Sequence, residues 1–336
     1  MKRVAVVGIG KMGMLHASLL NTLPDVQLVA LCEKSFVIRR FCKKILEYIS
    51  VVSNVKELSG LGLDAVYVTT PIASHFPIIK AIYTEGIARN IFVEKPLASS
   101  YAEANELCDL AKRYGGVNMV GYSRRFAVTF GKAKEILDEG ILGEPIFFEG
   151  YAYSSDFFEV KVGSQRLARG GVLRDLGCHA VDLALWFFGE LETEMAKFES
   201  GTVGSEDSVY FRVKAPDGLA GELRTSWSMK NYRMPEIGLI IKGSKGMLRV
   251  NDDKVELRLD NGKSRTWHKH DLDDNVFFFL GGTEYLREDE LFIRSIFSGC
   301  NAEPSFQRAL KIEQIIEQVK NKVGKNEHSE IAACRG

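Results

Sequence analysis

Apolar residues in the first 122 positions form short continuous runs, separated by stretches in which apolar residues recur at helical spacing. The runs lie at 3–7, 27–32, 64–70, 90–95 and 117–122, and the helical stretches at 12–20, 36–48, 74–85 and 100–114. Continuous apolar strands that alternate with helices are typical of a parallel sheet covered by helices on both faces. The pattern therefore predicts an α/β domain with a doubly wound parallel sheet of the Rossmann type.

The rhythm changes after residue 122. A helix is predicted over 126–139 and a strand of alternating apolar and polar residues over 146–154. Further strands are predicted at 206–214, 219–228, 236–242, 246–250 and 254–259, before a last amphipathic helix at 303–322. Turn residues such as Asn261 and Gly262 join neighbouring strands, and strands joined by short turns run antiparallel. We therefore predict a C-terminal α+β domain with a mostly antiparallel sheet that is open on one face.

A chain of 336 residues is too long for one hydrophobic core, so the change of rhythm marks a boundary between two domains. We expect a dinucleotide-binding Rossmann domain at 1–121 and a substrate-binding and oligomerisation domain at 122–323. The helix at 303–322 is a candidate to pack back on the first domain. The polar residues 324–336 are expected to form a flexible tail.

Charge and composition exclude several classes of function. Lys plus Arg and Asp plus Glu both number 44, so no net charge attracts nucleic acid or an anionic membrane. No run approaches the roughly 18–20 apolar residues of a membrane span, and the start of the chain is not a signal peptide. The six cysteines form no C-x-x-C pair, which favours free thiols in a cytoplasmic protein. The expected partner is a small molecule, and no metal is expected.

A glycine turn follows the first predicted strand and opens the first predicted helix. Gly8, Gly10 and Gly13 fit the pattern G-x-G-x-x-G, with Lys11 and Met12 between the last two glycines. In this context the first glycine permits a tight turn, the second lets a pyrophosphate approach the backbone, and the third allows close packing of helix on strand. The N-terminus of the helix offers N–H donors to the phosphates.

An acidic residue lies where such domains bind the adenosine ribose. Glu33 follows Gly13 by twenty residues, at the end of the second predicted strand. Its carboxylate suits the ribose hydroxyls and repels a 2′-phosphate, so NAD is predicted as the cofactor. NADP stays open, because the neighbouring cations Lys34, Arg39 and Arg40 are able to accommodate a phosphate.

Two further stretches carry candidate chemistry. Lys95, between Glu94 and Pro96, follows a predicted parallel strand at the sheet edge where ligands bind. An isolated lysine at this place is equally typical of a surface charge.

Asp175, His179 and Asp182 stand at i, i+4 and i+7 and share one face if the helix begins by Asp175. A histidine between two carboxylates suits acid–base catalysis. A metal site and a capping aspartate beside a structural histidine are the alternatives.

These residues together identify a family resemblance that covers nearly the whole chain. Its marks are the turn at 8–13, Thr70 and Pro71 followed by His75, the triplet 94–96, the segment 124–126, and the block 170–182. In their order and spacing the chain resembles the glucose–fructose oxidoreductase, inositol dehydrogenase and MocA family of NAD(P)-dependent oxidoreductases.

The resemblance implies roles for individual residues. Lys95 matches the lysine that contacts the reacting hydroxyl and the nicotinamide ribose, His179 matches the acid/base, and Asp175 matches its acidic partner. Thr70, Pro71 and His75 match the segment beside the cofactor, and Glu94 matches a position near the nicotinamide. The family's dimers or tetramers, formed through the second-domain sheet, are likewise implied.

Other residues are assigned to the substrate. The predicted substrate-binding set is Tyr122, Arg125, Tyr151, Arg166, Arg169, Asp175 and His179. A wider set of cations and aromatic residues falls on segments that could line the cleft, namely Tyr151, Tyr153, Lys161, Arg166, Arg169, Lys230, Tyr232 and Arg233. These residues favour a sugar that carries a phosphate or carboxylate, such as a nucleotide-linked sugar, and solvated surface charges are the alternative. The chain departs from the family near this site, with Ser123 before the Arg-Arg-Phe segment and Gln165 where a tryptophan is often seen. The exact substrate is therefore open.

The expected activity is hydride transfer between the nicotinamide and a secondary alcohol or ketone of a sugar, polyol or nucleotide-linked sugar. A reductase of a keto-sugar is the alternative in the reverse direction. A dinucleotide-binding sensor without turnover and a metal-dependent hydrolase on the Asp–His–Asp face are the alternatives from other classes.

Overall fold

The computed structural model describes residues 1–159, 169–201 and 205–333, with side chains described up to residue 324. The chain divides into two compact units. The first unit comprises Met1–Ser123 and Asn275–Lys311, and the second comprises Arg124–Asp274 and Ile312–Gly336. The expected division at residues 121 and 323 differs from this one because residues 275–311 return to the first unit.

The first unit contains a six-stranded parallel sheet in the order β3-β2-β1-β4-β5-β6. Its strands are β1 (Lys2–Val7), β2 (Val26–Cys32), β3 (Ser50–Val52), β4 (Ala65–Val68), β5 (Asn90–Glu94) and β6 (Asn118–Gly121). Its helices are α1 (Lys11–Leu20), α2 (Phe36–Ile45), α3 (His75–Thr84) and α4 (Tyr101–Tyr114). The central strands are buried on both faces, as their continuous apolar runs require. The predicted Rossmann sheet is confirmed.

Local signals place the helix ends of this unit. The Ser35 hydroxyl caps α2 by accepting a hydrogen bond from the Ile38 N–H, and the Ser100 hydroxyl caps α4 in the same way from Glu103. The helix α4 ends at Gly115, whose φ of 70° suits a residue without a side chain.

The last described part of the first unit comes from late in the chain. It contains α7 (Thr283–Ser298) and the start of α8 (Phe306–Ala333). The Val120 N–H donates to the Pro304 carbonyl, and the Phe306 N–H donates to the Asn118 side chain, so this segment fastens to the edge strand β6. Helix α7 escaped prediction because its buried positions include Glu288 and Asp289, which interrupt an apolar stripe.

The second unit contains an eight-stranded sheet in the order β14-β13-β12-β11-β7-β10-β9-β8. Its strands are β7 (Pro145–Tyr153), β8 (Glu192–Ser200), β9 (Ser208–Lys214), β10 (Ala220–Ser226), β11 (Glu236–Gly243), β12 (Gly246–Asn251), β13 (Lys254–Leu259) and β14 (Ser264–His268). Neighbouring strands pair antiparallel except β7 and β10, which pair in parallel. The predicted mostly antiparallel sheet is confirmed, and the outer strands β8 and β14 are additions to it.

Helices cover one face of this sheet. The helix α5 (Val128–Asp138) packs on β12 and β13, and α6 (Cys178–Phe188) packs on β7 and β11. The Phe188 ring of α6 stacks on Phe148 of β7, with 4.1 Å between ring centroids. A five-residue π-helical turn, Leu173–Gly177, leads directly into α6.

The C-terminal helix differs from the expectation. It was predicted over 303–322 with a flexible tail from 324, and the backbone is helical from Phe306 to Ala333. Pro304 delays the start of the helix, and the residues after Gly324 include no proline to end it. Within the described residues, no helix has the length and apolar character needed to cross a membrane.

Candidate active site

The glycine turn between β1 and α1 is built from backbone contacts that leave no room for side chains at two of its three glycines. Gly8 has a φ of 93°, and a Cβ placed on it would lie 2.5 Å from Thr70 Cγ2. A Cβ on Gly13 would overlap the Gly8 carbonyl oxygen. A Cβ on Gly10 would meet nothing within 4 Å, so Gly10 is the position where the turn opens to a ligand.

A cleft of about 820 Å³ lies beside this turn, within the first unit. Its walls include eight residues predicted to bind the cofactor, namely Gly8, Gly10, Lys11, Met12, Glu33, Lys34, Thr70 and Pro71. The cleft follows the ends of β1, β2 and β4, where the strand order reverses. Open α/β sheets bind their ligands at this switch point, and the volume suits a small-molecule site.

The Glu33 carboxylate is fixed in place by backbone donors. Its Oε2 accepts a hydrogen bond of 2.7 Å from the Ile9 N–H, and its Oε1 accepts one of 2.7 Å from the Ser35 N–H. The Arg39 guanidinium donates to the carbonyls of Glu33 and Lys34 rather than to the carboxylate. Glu33 thus lines the cleft with both carboxylate oxygens held by backbone donors.

Two observations indicate that these residues fit a dinucleotide. The Thr70 hydroxyl is buried at the cleft and makes no hydrogen bond within the described residues, so it has bonding capacity for a ligand. The backbone of Gly10 is open to a ligand, because a Cβ placed on it would meet nothing within 4 Å. The turn amides and the N-terminus of α1 would hold the pyrophosphate, and Glu33 would hold the adenosine ribose.

His75 supports two loops instead of lining the cleft. Its Nε2 lies 2.7 Å from the Thr70 carbonyl oxygen, and its Nδ1 lies 2.9 Å from the Pro96 carbonyl oxygen. Burial lowers the pKa of His75, against the effect of these two carbonyls. The structure thus places this predicted cofactor residue behind the loop that carries Lys95, with both ring nitrogens already occupied by the chain.

Glu94 also lies behind the cleft. Its Oε2 accepts a hydrogen bond of 3.1 Å from the Lys95 N–H, and its Oε1 lies 3.0 Å from His16 Nε2. The other ring nitrogen of His16 lies 2.8 and 3.0 Å from the two oxygens of Asp289. Sequence reasoning missed His16 and Asp289, since a single histidine on an apolar helix face carries no distinctive signal and its partner lies 273 residues away.

The second unit contains the predicted acid–base residues. Asp175 lies in the π-helical turn and His179 in the first turn of α6, with 8% of the His179 surface exposed. Asp175 thus precedes the α-helix instead of lying within it, and the shared face of Asp175, His179 and Asp182 stays a prediction. π-Helical turns occur frequently at functional sites.

Asp175 and Asp182 each form an ion pair with an arginine. Arg125 Nε lies 2.9 Å from Asp182 Oδ2, in a contact that is buried on both sides. Arg169 lies 2.8 Å from Asp175 Oδ2 through one Nη and 2.8 Å from Asp156 Oδ2 through the other. The Arg169 guanidinium also lies 5.0 Å from the centroid of the Trp227 ring. The carboxylates therefore form ion pairs, and a metal site on the Asp–His–Asp face would have to compete with Arg125 for Asp182.

Three predicted substrate residues need correction or lie outside the description. Tyr151 is on the sheet face opposite α6, because its neighbours Gly150 and Ala152 point toward the helix; its hydroxyl donates to Glu236. Tyr122 has 0% of its surface exposed and offers no contact area to a substrate. Arg166, like Lys161, lies outside the described residues.

Comparison with known proteins identifies the family on both halves of the chain. Residues 2–122 match the domain described as the oxidoreductase family, NAD-binding Rossmann fold, and residues 130–249 match the GFO/IDH/MocA C-terminal domain. The chain belongs to the Gfo/Idh/MocA family of oxidoreductases. This family member is an NAD-dependent oxidoreductase, as the glycine turn and Glu33 predict.

Relatives of this Gfo/Idh/MocA protein include named inositol dehydrogenases. The chain is 25% identical to the myo-inositol 2-dehydrogenase of Thermotoga maritima over 88% of this chain and 89% of that one. It is 28% identical to the scyllo-inositol 2-dehydrogenase (NAD(+)) of Bacillus subtilis over 67% of each. A levoglucosan dehydrogenase solved with NADH and levoglucosan has the same fold, with a TM-score of 0.84, 20% identity, and 96% and 97% of the two chains covered.

Proposed function

We propose that this protein is an NAD-dependent dehydrogenase of a secondary alcohol in a neutral sugar or polyol. The relatives named for inositol and levoglucosan support this class of substrate. The observation that carries the neutral character is the pairing of Arg125 and Arg169, the two described arginines of the predicted substrate-binding set. Arg125 is held by Asp182, and Arg169 is held by Asp175 and Asp156.

An anionic substrate would find the positive charge of both guanidiniums already balanced by carboxylates. At the buried pair of Arg125 and Asp182, displacing the carboxylate would also leave a buried charge without compensation, which is costly. Neutral hydroxyl groups make no such demand, since they accept hydrogen bonds from an arginine that keeps its carboxylate partner. The ion pairs therefore favour a polyhydroxylated substrate without phosphate or carboxylate.

The chain's own residues are proposed to move the proton and stabilise the charge. His179 takes the hydroxyl proton as general base, and Asp175, oriented by Arg169, is its proposed acidic partner. The Lys95 ammonium stabilises the developing alkoxide electrostatically. The cofactor held at the glycine turn would supply the hydride acceptor for the alcohol carbon.

A matched substrate panel tests the neutral-substrate proposal. Purified protein with NAD is offered myo-inositol, glucose and levoglucosan beside glucose 6-phosphate and gluconate, and formation of reduced nicotinamide is followed by its absorbance. We expect kcat/KM for a neutral member to exceed that of each anionic member by at least about tenfold, since one lost charged hydrogen bond is worth about 1.5–3 kcal/mol. Preference for a phosphorylated or acidic sugar would overturn the neutral class while leaving the dehydrogenase assignment intact.

We further propose that the face of the eight-stranded sheet opposite α6 pairs with a second copy of the chain, in a dimer or a tetramer. This face carries partly exposed aromatic residues, among them Tyr151, Tyr153 and Tyr210. The Tyr151 and Tyr153 rings stack with 5.1 Å between centroids and offer a flat contact area. Light scattering of the purified protein measures its mass, and the proposal predicts a multiple of the 37.5 kDa chain that falls when Tyr210 is changed to Glu.

A further inference from the structure

Four ionisable side chains meet in the interior of the first unit, behind the loop that carries Lys95. His16 comes from α1, Glu94 from β5, and Glu288 and Asp289 from α7. His16, Glu288 and Asp289 have no exposed surface, and Glu94 is 9% exposed. Buried charge of this density is costly unless its members are paired, so the arrangement requires an explanation.

The geometry makes His16 a cation. Both of its ring nitrogens lie within 3.0 Å of carboxylate oxygens, those of Glu94 on one side and of Asp289 on the other. A neutral imidazole has one N–H, so two hydrogen bonds to carboxylates require the doubly protonated ring. Burial alone would lower the pKa of His16, but Asp289 and Glu94 raise it well above the ordinary value.

The groups around this ring come from three elements. The titratable and charged side chains that face the cluster are Tyr67 on β4, Glu94 on β5, and Glu284, Tyr285, Glu288 and Asp289 on α7. The aromatic rings of Tyr67 and Phe92 lie 5.6 and 5.0 Å from the imidazole centroid. Burial, followed by the charge of Glu94, raises the pKa of Glu288 well above its usual range, which favours its neutral form. The carboxyl groups in direct contact with the His16 ring are those of Glu94 and Asp289, which places His16 as their counter-ion.

A short path links this cation to Lys95. His16 holds Glu94 Oε1, and the other oxygen of the same carboxylate accepts the Lys95 N–H. The neighbouring strand leaves space for this carboxylate, because a Cβ on Gly121 would lie only 3.2 Å from Glu94 Oε2. On the far side of Lys95, His75 reaches the Pro96 carbonyl. The backbone of Lys95 is therefore held from both directions by buried side chains.

We propose that His16 is a positioning residue for Lys95, with its fixed positive charge orienting the Glu94 carboxylate and that carboxylate setting the backbone of Lys95. The inference rests on the proposed role of Lys95 in the reaction. It assigns a catalytic consequence to a residue on α1 that has no exposed surface and that does not line the cofactor cleft.

Substitution of His16 separates positioning from folding. His16→Gln keeps one donor and removes the charge. We expect kcat to fall by about 10- to 100-fold, the range that small misplacements of catalytic groups produce, while the affinity for NADH changes by less than about twofold. The matched control His270→Gln replaces a side chain that is 81% exposed and should leave both quantities unchanged. Loss of NADH affinity in parallel with kcat, or unchanged kcat in folded His16→Gln protein, overturns the proposal.

A second variant gives a readout that a purely structural role would not move. Asp289→Asn keeps the shape of the side chain but removes the carboxylate that raises the pKa of His16 most. His16 should then lose its proton within the working pH range, so kcat of the variant should decline as the pH rises from about 6 to about 9 relative to wild type. A variant whose pH profile superimposes on that of wild type contradicts the proposal.

A measurement that needs no substrate distinguishes failure of this inference from failure of the proposed function. Nitrogen-15 spectra of histidine-labelled wild-type protein report the protonation of each ring. We expect one histidine, absent from spectra of His16→Gln, to stay doubly protonated from about pH 6 to about pH 9. A neutral His16 at pH 7 overturns the inference even if the enzyme oxidises sugars. A charged His16 without turnover of any neutral polyol counts instead against the proposed substrate class.

Discussion

The Glu33 carboxylate accepts a hydrogen bond of 2.7 Å from the Ile9 N–H inside the glycine turn. This bond ties the end of β2 to the turn that would hold the pyrophosphate, so the groups proposed for the ribose and for the phosphates are positioned together. We propose that this one carboxylate both shapes the turn and favours NAD over NADP.

Substitution of Glu33 should therefore weaken NAD binding and relax cofactor choice. For Glu33→Gln we expect NAD affinity to fall by about 10- to 150-fold, the loss of about 1.5–3 kcal/mol that a charge-assisted hydrogen bond supplies. The ratio of NADP to NAD affinity should rise, because the charge that repels a 2′-phosphate is gone. Fluorescence titration with each cofactor measures both. Glu47→Gln, at an exposed position, is the control, and an unchanged ratio in the Glu33 variant would count against the assignment.

The glycines of the turn should respond differently to the same substitution. Gly10→Ala has space in the free protein and a φ of −81°, so its melting temperature should stay within about 2 °C of wild type while NADH binding is lost. Gly13→Ala forces a Cβ into the Gly8 carbonyl and should cost about 1–3 kcal/mol of folding free energy. Thermal unfolding and NADH titration of the two variants check this contrast. Equal effects on stability would refute the assignment of Gly10 to the ligand.

Removal of Lys95 should abolish turnover without affecting the cofactor cleft. Lys95→Met keeps the length of the side chain and removes the ammonium, so the alkoxide loses its electrostatic partner. We expect kcat to fall by about 100- to 1,000-fold, with NADH affinity within about threefold of wild type. Steady-state kinetics and NADH fluorescence give the two numbers. Wild-type turnover in this variant would refute the proposed role of Lys95.

Loss of the buried ion pair between Arg125 and Asp182 should lower the free energy of unfolding more than loss of an exposed ion pair does. The side chains are 8% and 1% exposed, so Asp182→Ala leaves an uncompensated buried charge and should cost about 3–5 kcal/mol. The exposed pair of Lys80 and Glu106 is the matched control, and Glu106→Ala should cost less than about 1 kcal/mol. Denaturant unfolding measures both. If divalent metal raises the free energy of unfolding of wild type but not that of Asp182→Ala, a metal site becomes the better interpretation of Asp182.

The buried acid Glu288 should make the protein less stable at high pH. Its pKa in the folded protein is raised, by burial and then by Glu94. A raised pKa stabilises the folded state below the unfolded value of about 4.3, and this contribution is lost as the pH rises through the folded value. Glu288→Gln cannot ionise, so its melting temperature relative to wild type should increase by a few degrees between about pH 6 and about pH 9. A constant difference across this range would contradict a neutral Glu288.

The features that could be predicted from the sequence depend on residues close together in the chain. Continuous apolar runs reveal buried parallel strands, and the glycine spacing together with Glu33 predicts the cofactor cleft because all of these residues act through nearby backbone. Contacts between residues far apart in the sequence could not be predicted. Asp289, which contacts His16, lies on helix α7, and buried acidic residues interrupt the apolar pattern of that helix. Tyr151 was predicted to bind substrate but lies on the sheet face opposite α6, since periodicity shows alternation but does not say which face a helix will cover.

The split composition of the first unit has a consequence for how the protein is made. Residues 1–123 leave the ribosome long before residues 275–311, which supply α7 and the acidic partner of His16. A nascent chain that contains all six parallel strands still lacks Asp289, and its buried imidazole lacks one of its two counter-ions. Completion of the cofactor-binding unit therefore has to wait until translation has passed through the entire eight-stranded sheet.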